Sequence, residues 1–500
     1  RTLASVDYSE GKKRLRELTG IPKVTEWMCS NCQNQKRFCR VERFVSVPIR
    51  SYPNLTFAAQ KLLQHKQLMS SSRCTGCKTQ SAFHGLNYYE ELPHMLAFRL
   101  ERWTKDINGQ SLKLNDRFEF HDTLDLVHSH EEQENSAKEE SSKNRLFPNV
   151  DGIKFLKHDG GCGGTREDSQ VLCKLLAGYI NHPNVSGATV FSLGCQNAQI
   201  EMLQDALKQN DSENTKPVHF LEQQKSSSER ALIEEAVKHT FVGLMEANKL
   251  ERKPAPLSKL TLGLECGGSD GFSGISANPA LGYASDMLVA LGGTPVLAEF
   301  PELNGVEQEL INRCNTKEDA SKFASIMRSY SDAAVACGSG FENNPSPGNI
   351  KDGLITDAMK SAGAAKKGGT SPVVEVLDYA EKITKPGLNL LCTPGNDVES
   401  TTGLVGSGCN VVVFTTGLGT PTGNPIAPVL KMSSNTAMYE RMIDIIDINA
   451  GTVISGEDTI ASMGEKILDH VIKVASGEVD AKAVVKGQND FIPWKRGVSL

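Results

Sequence analysis

The chain has 500 residues, a net charge of −6 and 23% charged side chains, a balance that points away from nucleic acid and from an anionic membrane surface. No apolar run nears the ~20 residues that a bilayer-spanning helix requires. The opening residues also lack a signal peptide's apolar core, so a soluble, cytoplasmic protein is expected, with about three domains at ~150 residues each. The first residue is Arg1 rather than Met, which suggests processing or a piece of a longer reading frame. The cysteine count is 13, an odd number, and the chain is long enough to bury a core without disulfides.

Five of those cysteines fall between Cys29 and Cys77. Cys29-Ser-Asn-Cys32 and Cys74-Thr-Gly-Cys77, 41 residues apart, have the spacing with which two thiolate pairs complete a tetrahedral zinc site. Cys39 is read as a bystander. The following runs, Leu92–Trp103, Lys113–Phe120 and Leu124–Leu126, alternate apolar and polar residues as half-buried strands do. Over residues 20–126 this resembles the zinc fingers and palm strands of ubiquitin-specific proteases, which implies zinc as cofactor and ubiquitin as partner. That family's cysteine and histidine boxes are missing, and His121, His128 and His130 do not match them. A thiol protease without nucleophile and base has no chemistry. Residues 1–126 are therefore expected to be a small β-rich zinc-knuckle segment, catalytically dead.

Residues 127–146 are polar, without apolar periodicity, and read as a disordered linker. Beyond it the pattern changes. Thr189–Leu193, Leu260–Leu264 and Asn410–Phe414 are short apolar runs with strand character, and between them Glu229–Asn248 and Val306–Arg313 have helical character. Buried strands alternating with helices predict an α/β fold for residues 147–500, with a largely parallel sheet and flanking helices. Arg252-Lys-Pro-Ala-Pro-Leu257 reads as a connector between residues 147–250 and residues 251–500.

Many ordered stretches of this region share one resemblance. They include Phe147–Gly152, His158–Gly163, Leu193–Asn197, Gly263–Gly274, Glu299–Glu302, Asn344–Asn349, Lys366–Gly369, Pro394–Glu399, Phe414–Asn424 and Ile446–Gly451. Together they resemble the altronate/galactarate dehydratase family, and the ending Phe491-Ile-Pro-Trp-Lys-Arg496 looks more like its altronate members. The resemblance implies a hydro-lyase that converts D-altronate to 2-dehydro-3-deoxy-D-gluconate, a small sugar acid as partner, and iron(II) or another divalent metal. It starts partway into a family domain, which suggests a fusion at residues 127–146. An inactive chimera and an inactive ubiquitin-binding module are the competing readings.

Losing water from a 2,3-dihydroxy acid requires a base for the α proton, an acid for the leaving hydroxyl and positive charge for the enediolate. His158, opening a Gly-rich loop, is expected as a ligand or acid–base group. Glu265, directly after the Leu260–Leu264 run, is expected in the site because a carboxylate there is costly without a partner. One of Glu299 and Glu302 should face the site, with Glu302 taken as catalytic. Cys162 and Cys266 are candidate divalent-metal ligands, Cys266 and Cys195 being equally readable as small core residues. Gly-rich turns at 158–164, 263–274 and 415–423 can present N–H groups to an anion. Ser269, Asp270, Asn278, Asn396, Thr416 and Asn449 are expected to bind substrate, with Asp270 also readable as a turn former and the loop asparagines, Asn349 among them, as structural. Gly417–Gly423 has neither GxGxxG order nor a Walker lysine, which argues against nucleotide binding.

Overall fold

The computed structural model describes residues 146–499 except 159 and 214. The zinc knuckle at Cys29, Cys32, Cys74 and Cys77 and the protease-like strands lie outside the described residues.

The first elements are α1 (Arg166–Asn181), β1 (Ala188–Ser192), α2 (Ile200–Asn210), β2 (Val218–Glu222) and α3 (Glu229–Ala247). β1 and β2 pair in parallel as a two-stranded sheet, from Ala188 opposite Val218 to Ser192 opposite Glu222. α1 starts at a capping box: Thr165 accepts from the Asp168 N–H, and the Asp168 carboxylate accepts from that of Thr165. It buries two faces. Leu172, Cys173, Ala177 and Ile180 pack with α2 and the small sheet, whereas Leu175 and Tyr179 enter the main core.

That main core surrounds a seven-stranded parallel sheet in the order β5-β6-β4-β3-β7-β8-β9. Its strands are β3 (Thr261–Cys266), β4 (Thr294–Leu297), β5 (Val373–Leu377), β6 (Leu388–Leu391), β7 (Val411–Thr416), β8 (Val429–Ser433) and β9 (Ile448–Asn449). β4, β6, β7 and β8 are buried at every position, as strands covered on both faces must be. The helices used below are α4 (Ala277–Ala290), α5 (Glu307–Arg313), α6 (Lys317–Ala336), α7 (Asp357–Ala365), α8 (Asp397–Gly406) and α9 (Ile460–Ala475). Among the described residues, no helix is long and apolar enough to cross a membrane.

The α/β architecture with a parallel sheet is as expected, with one displaced boundary. β3 runs on through Glu265 and Cys266, so both lie within the strand and not beyond it. Strand alternation then sends them to opposite faces. Glu265 shares a face with Gly263, over which Leu404 of α8 packs. Cys266 pairs in register with Thr415, whose hydroxyl donates to Asn278 on α4.

The chain order also locates a crevice. From β3 the chain moves to β4, β5 and β6 on one side, then crosses to β7, β8 and β9 on the other. The topological switch therefore falls between β3 and β7, where open α/β sheets bind ligands at the carboxyl ends of their strands.

α1 meets α8 at a close crossing where a Cβ on Gly178 would overlap the Gly406 carbonyl. Gly178→Ala should therefore lower stability by about 1–3 kcal/mol, the range for overpacking a tight contact. Denaturant unfolding checks this; an unchanged midpoint would show that the crossing is not tight.

Candidate active site

At the switch point the end of β3 meets the residues that follow β4. Glu299 has φ 65° and ψ 57°, a left-handed conformation that costs a side-chain-bearing residue about 1–3 kcal/mol. The turn folds its carboxylate back onto the strand, where Oε2 accepts from the Cys266 N–H at 3.0 Å. The Cys266 thiol lies 3.3 Å from the same oxygen and 3.0 Å from Glu302 Oε2.

Two lysines are buried with them. Lys367 is fully buried in the turn after α7 and donates to Cys266 Sγ at 2.8 Å and to Glu299 Oε2 at 2.5 Å. Lys360, on α7, pairs with Glu302 Oε1 at 2.8 Å. The turn carrying Lys367 is fixed from behind by Asp286 of α4, whose carboxylate accepts from the N–H groups of Thr370 and Ser371. On the other face of β3, Glu265 Oε2 accepts from Ser400 Oγ at 2.7 Å. Ser400 lies 2.7 Å from Thr393 Oγ1, which in turn accepts from the Glu299 N–H. One hydroxyl chain thus ties both faces together.

Asp397 completes the group. It opens α8, capped by Asn396, and lies against Gly267, where a Cβ would overlap its carboxylate. Glu265, Glu299 and Glu302 are buried, whereas Asp397 is partly exposed at the mouth of the cluster.

Electrostatics divides these carboxyls. Burial, then the charge of Glu299, pushes Glu265 well above the usual carboxylate range. Burial, then Glu302, raises Glu299. Burial also opposes ionisation of Glu302, but Lys360 and Lys367 outweigh it and draw that group down. Asp397 is pushed up to about 7 by burial and then by Glu299 and Glu302. Burial would lower both lysines, yet the surrounding thiol and carboxylates hold them above their ordinary value.

Four ionised carboxylates against two ammoniums would leave two negative charges in a dry site. Either protons or a divalent cation must compensate them. The donor atoms of Cys266, Glu299 and Glu302 all lie within 4.8 Å of one another, and Glu265 Oε1 and Glu299 Oε1 are buried with no hydrogen-bond partner among the described residues. A thiol with two carboxylates suits a borderline ion such as iron(II) better than a purely hard one. The group therefore fits a divalent metal.

Of the residues expected from sequence, Glu265, Cys266 and Glu302 are brought together here. Ser269 and Asp270 follow in the next loop. The Asp270 oxygens are taken by the N–H groups of Phe272 and Ser273 and by the side chains of Ser273, Ser434 and Asn435, the pattern of a loop clamp. Thr416 Oγ1 accepts from three successive N–H groups, Leu418 to Thr420. Asn278 joins Thr415 to the Gly363 carbonyl, and Asn349 caps a short helix and holds the Ser269 carbonyl. Asn449 is engaged by Thr436 and the Gly451 N–H.

His158 and Cys162 lie on the loop before α1. The His158 ring lies 6.4 Å from that of Phe491, which packs on Tyr179, and Cys162 is exposed on the same loop. Cys162 is not among the clustered ligand atoms that include Cys266. Cys195 is exposed too, beside Gln224. Sequence reasoning missed Lys360, Lys367, Ser400 and Asp397. A signal existed for one of them: Lys360 shares the buried face of α7 with Ser361, Gly363 and Ala364.

A parallel α/β sheet with a buried acid–thiol–lysine centre at its switch point defines an enzyme, and similarity to known proteins specifies which kind. Residues 120–248 match the family described as D-galactarate dehydratase/altronate hydrolase, second domain, and residues 257–499 match D-galactarate/altronate dehydratase, C-terminal. The chain is 37% identical to altronate dehydratase of Escherichia coli over 354 residues, 70% of this chain and 69% of that protein. Against altronate dehydratase of Bacillus subtilis the figures are 38%, 70% and 69%. (2R)-sulfolactate sulfo-lyase subunit beta of Chromohalobacter salexigens is 30% identical over 349 residues, 69% of this chain and 87% of that protein. The chain belongs to the D-galactarate/altronate dehydratase family and is a hydro-lyase. The family match begins at residue 120, earlier than Phe147 and inside the stretch read as palm strands and linker. These relatives lend no support to the ubiquitin-protease reading, nor to a zinc knuckle or a chimera.

Two stability changes follow from the site. Lys360→Met, which strands Glu302 without its buried partner, should cost about 3–5 kcal/mol in denaturant unfolding, and a loss below ~1 kcal/mol would contradict the pairing. The Asp397 carboxyl stands at about 7 against an ordinary 3.8, so the folded state holds this proton more tightly than the unfolded chain does. Its contribution is present in full below the unfolded value and is lost as pH rises through about 7. Asp397→Asn should accordingly gain stability relative to wild type between pH ~4 and ~7, by less than ~1.4 kcal/mol per pH unit because the side chain is partly exposed. Parallel curves for the two proteins would contradict this.

Proposed function

We propose that the chain dehydrates a sugar acid, D-altronate being the substrate, to 2-dehydro-3-deoxy-D-gluconate at the end of β3. The observation that carries this reading is the placement of Asp397. It is the partly exposed carboxyl of a cluster whose other acids are buried, and it packs directly on the Gly267 backbone that follows β3. Altronate is preferred because two altronate dehydratases share 37% and 38% identity with this chain across 69% of their length. Galactarate dehydratase of Escherichia coli, 38% identical, is matched over 57% of its length.

In this reading Asp397 carries the proton. Near neutrality both of its protonation states are populated, the condition under which one group is effective as base and then as acid. Its ionised form takes the proton from C2 of the substrate. Its protonated form then gives a proton to the hydroxyl departing from C3, so that water leaves and an enol remains, which becomes the 2-keto acid. Lys360, paired with Glu302 in the same cluster, sets positive charge against the negative charge that develops on the substrate carboxylate. Cys266, Glu299 and Glu302 would hold the divalent metal, which when bound supplies Lewis acidity to the carboxylate and the neighbouring hydroxyl. Glu265, bonded to Ser400, is a positioning residue for the start of α8.

The test is an anaerobic assay of the full chain with D-altronate and iron(II), following the 2-keto-3-deoxy acid. Wild type should turn over, and Asp397→Asn should lose ~10²-fold or more in kcat, the usual worth of general acid–base catalysis. A folded Asp397→Asn with wild-type kcat would remove Asp397 from the chemistry. Absence of turnover by metal-loaded wild type would remove the substrate assignment.

A further inference from the structure

The centre at the end of β3 already contains a cation of its own. Lys367 Nζ lies 2.8 Å from Cys266 Sγ and 2.5 Å from Glu299 Oε2. It thus occupies two of the three groups that could hold a divalent ion. Ion and ammonium compete for the same lone pairs, and at contact distance in a dry site they repel strongly. Lys360 is placed differently. It binds Glu302 through Oε1, while Cys266 faces Oε2 of the same carboxylate, so it can stay where it is.

A displaced ammonium requires a receiving group, and the structure contains one. Glu265 Oε1 is buried, makes no hydrogen bond among the described residues, and its carboxyl interacts electrostatically with Lys367. The backbone behind Lys367 is pinned through Asp286 and the positive-φ Gly369. Movement would therefore be confined to the flexible four-carbon stem of the lysine.

We propose that Lys367 is a displaceable internal counter-ion: a divalent metal enters the Cys266, Glu299 and Glu302 site as the Lys367 ammonium withdraws to Glu265. This rests on the reading that these three residues are the metal's ligands. It adds that Glu265, which is no ligand, governs metal affinity through Lys367.

Cobalt(II) titrated into the metal-stripped full chain tests it, read by calorimetry and by the thiolate-to-cobalt absorption band that Cys266→Ser must abolish. Lys367→Met should bind cobalt(II) about tenfold or more tighter than wild type. Glu265→Gln should weaken binding in the wild-type background and leave it unchanged in the Lys367→Met background, the coupling a double-mutant cycle isolates. Equal weakening in both backgrounds would show Glu265 acting as a distant charge alone, and would overturn the proposal, as would a Lys367→Met protein that binds no tighter. If Lys367→Met unfolds without metal, cobalt(II) must restore its fold; failure to do so also overturns it. Should neither wild type nor Lys367→Met show a Cys266-dependent band, the ligand assignment itself falls, and displacement with it. A band in wild type that Lys367→Met does not strengthen removes displacement alone.

Discussion

Three wholly buried glutamates, a thiol and two buried lysines share one end of β3, and their charges must be compensated within a volume from which water is largely excluded. A lone buried carboxylate would neutralise itself or unfold its surroundings. Much of the nearby architecture serves that compensation. α7 and its following turn bring the two ammoniums, the left-handed Glu299 turns a carboxylate back onto the strand, and Asp286 on α4 fixes the loop behind Lys367. α8 contributes Ser400 to Glu265 and Asp397 to the mouth.

The sheet topology decides where this concentration of charge can do chemistry. Parallel strands put their carboxyl ends on one edge, and the crossing from β6 to β7 sends α4 and α8 to opposite faces of β3. The Cys266–Gly267 backbone lies buried between those helices, with the partly exposed Asp397 against it. Gly267 is required there because any side chain would overlap the Asp397 carboxylate or the Phe414 ring. α1 braces the arrangement from outside, reaching from the small β1–β2 sheet to α8, with the Tyr179 hydroxyl bonded to the Thr402 carbonyl and to Asn424.

Much of the fold was legible in the sequence. The apolar runs at 260–264 and 410–414 become β3 and β7, and the α3 and α5 periodicities become helices. Strand ends were less legible. β3 continues through Glu265 because Ser400 and the neighbouring charges satisfy a carboxylate that hydropathy alone places outside a strand. Glu265, Cys266 and Glu302 could be singled out because charge or thiol beside a buried run requires a partner. Lys367 and Asp397 could not, since their partners lie far away along the chain and a lysine or aspartate in a Gly-containing turn looks like ordinary surface. Polar loop residues are ambiguous for the converse reason. Asp270, Thr416 and Asn449 hold turns and Asn278 ties α4 to β7 and α7, uses that no local pattern separates from substrate binding.

His158, on the Gly-rich loop before α1, lies near Phe491, and Cys162 on the same loop is exposed. The proposed chemistry places the substrate at the end of β3 and not at that loop. A crystal structure of the metal-loaded protein with its 2-keto-3-deoxy acid product decides between them most directly. The product carboxylate is expected between Asp397 and the Cys266, Glu299 and Glu302 group. Product bound at the 158–164 loop, with the end of β3 empty, would contradict it.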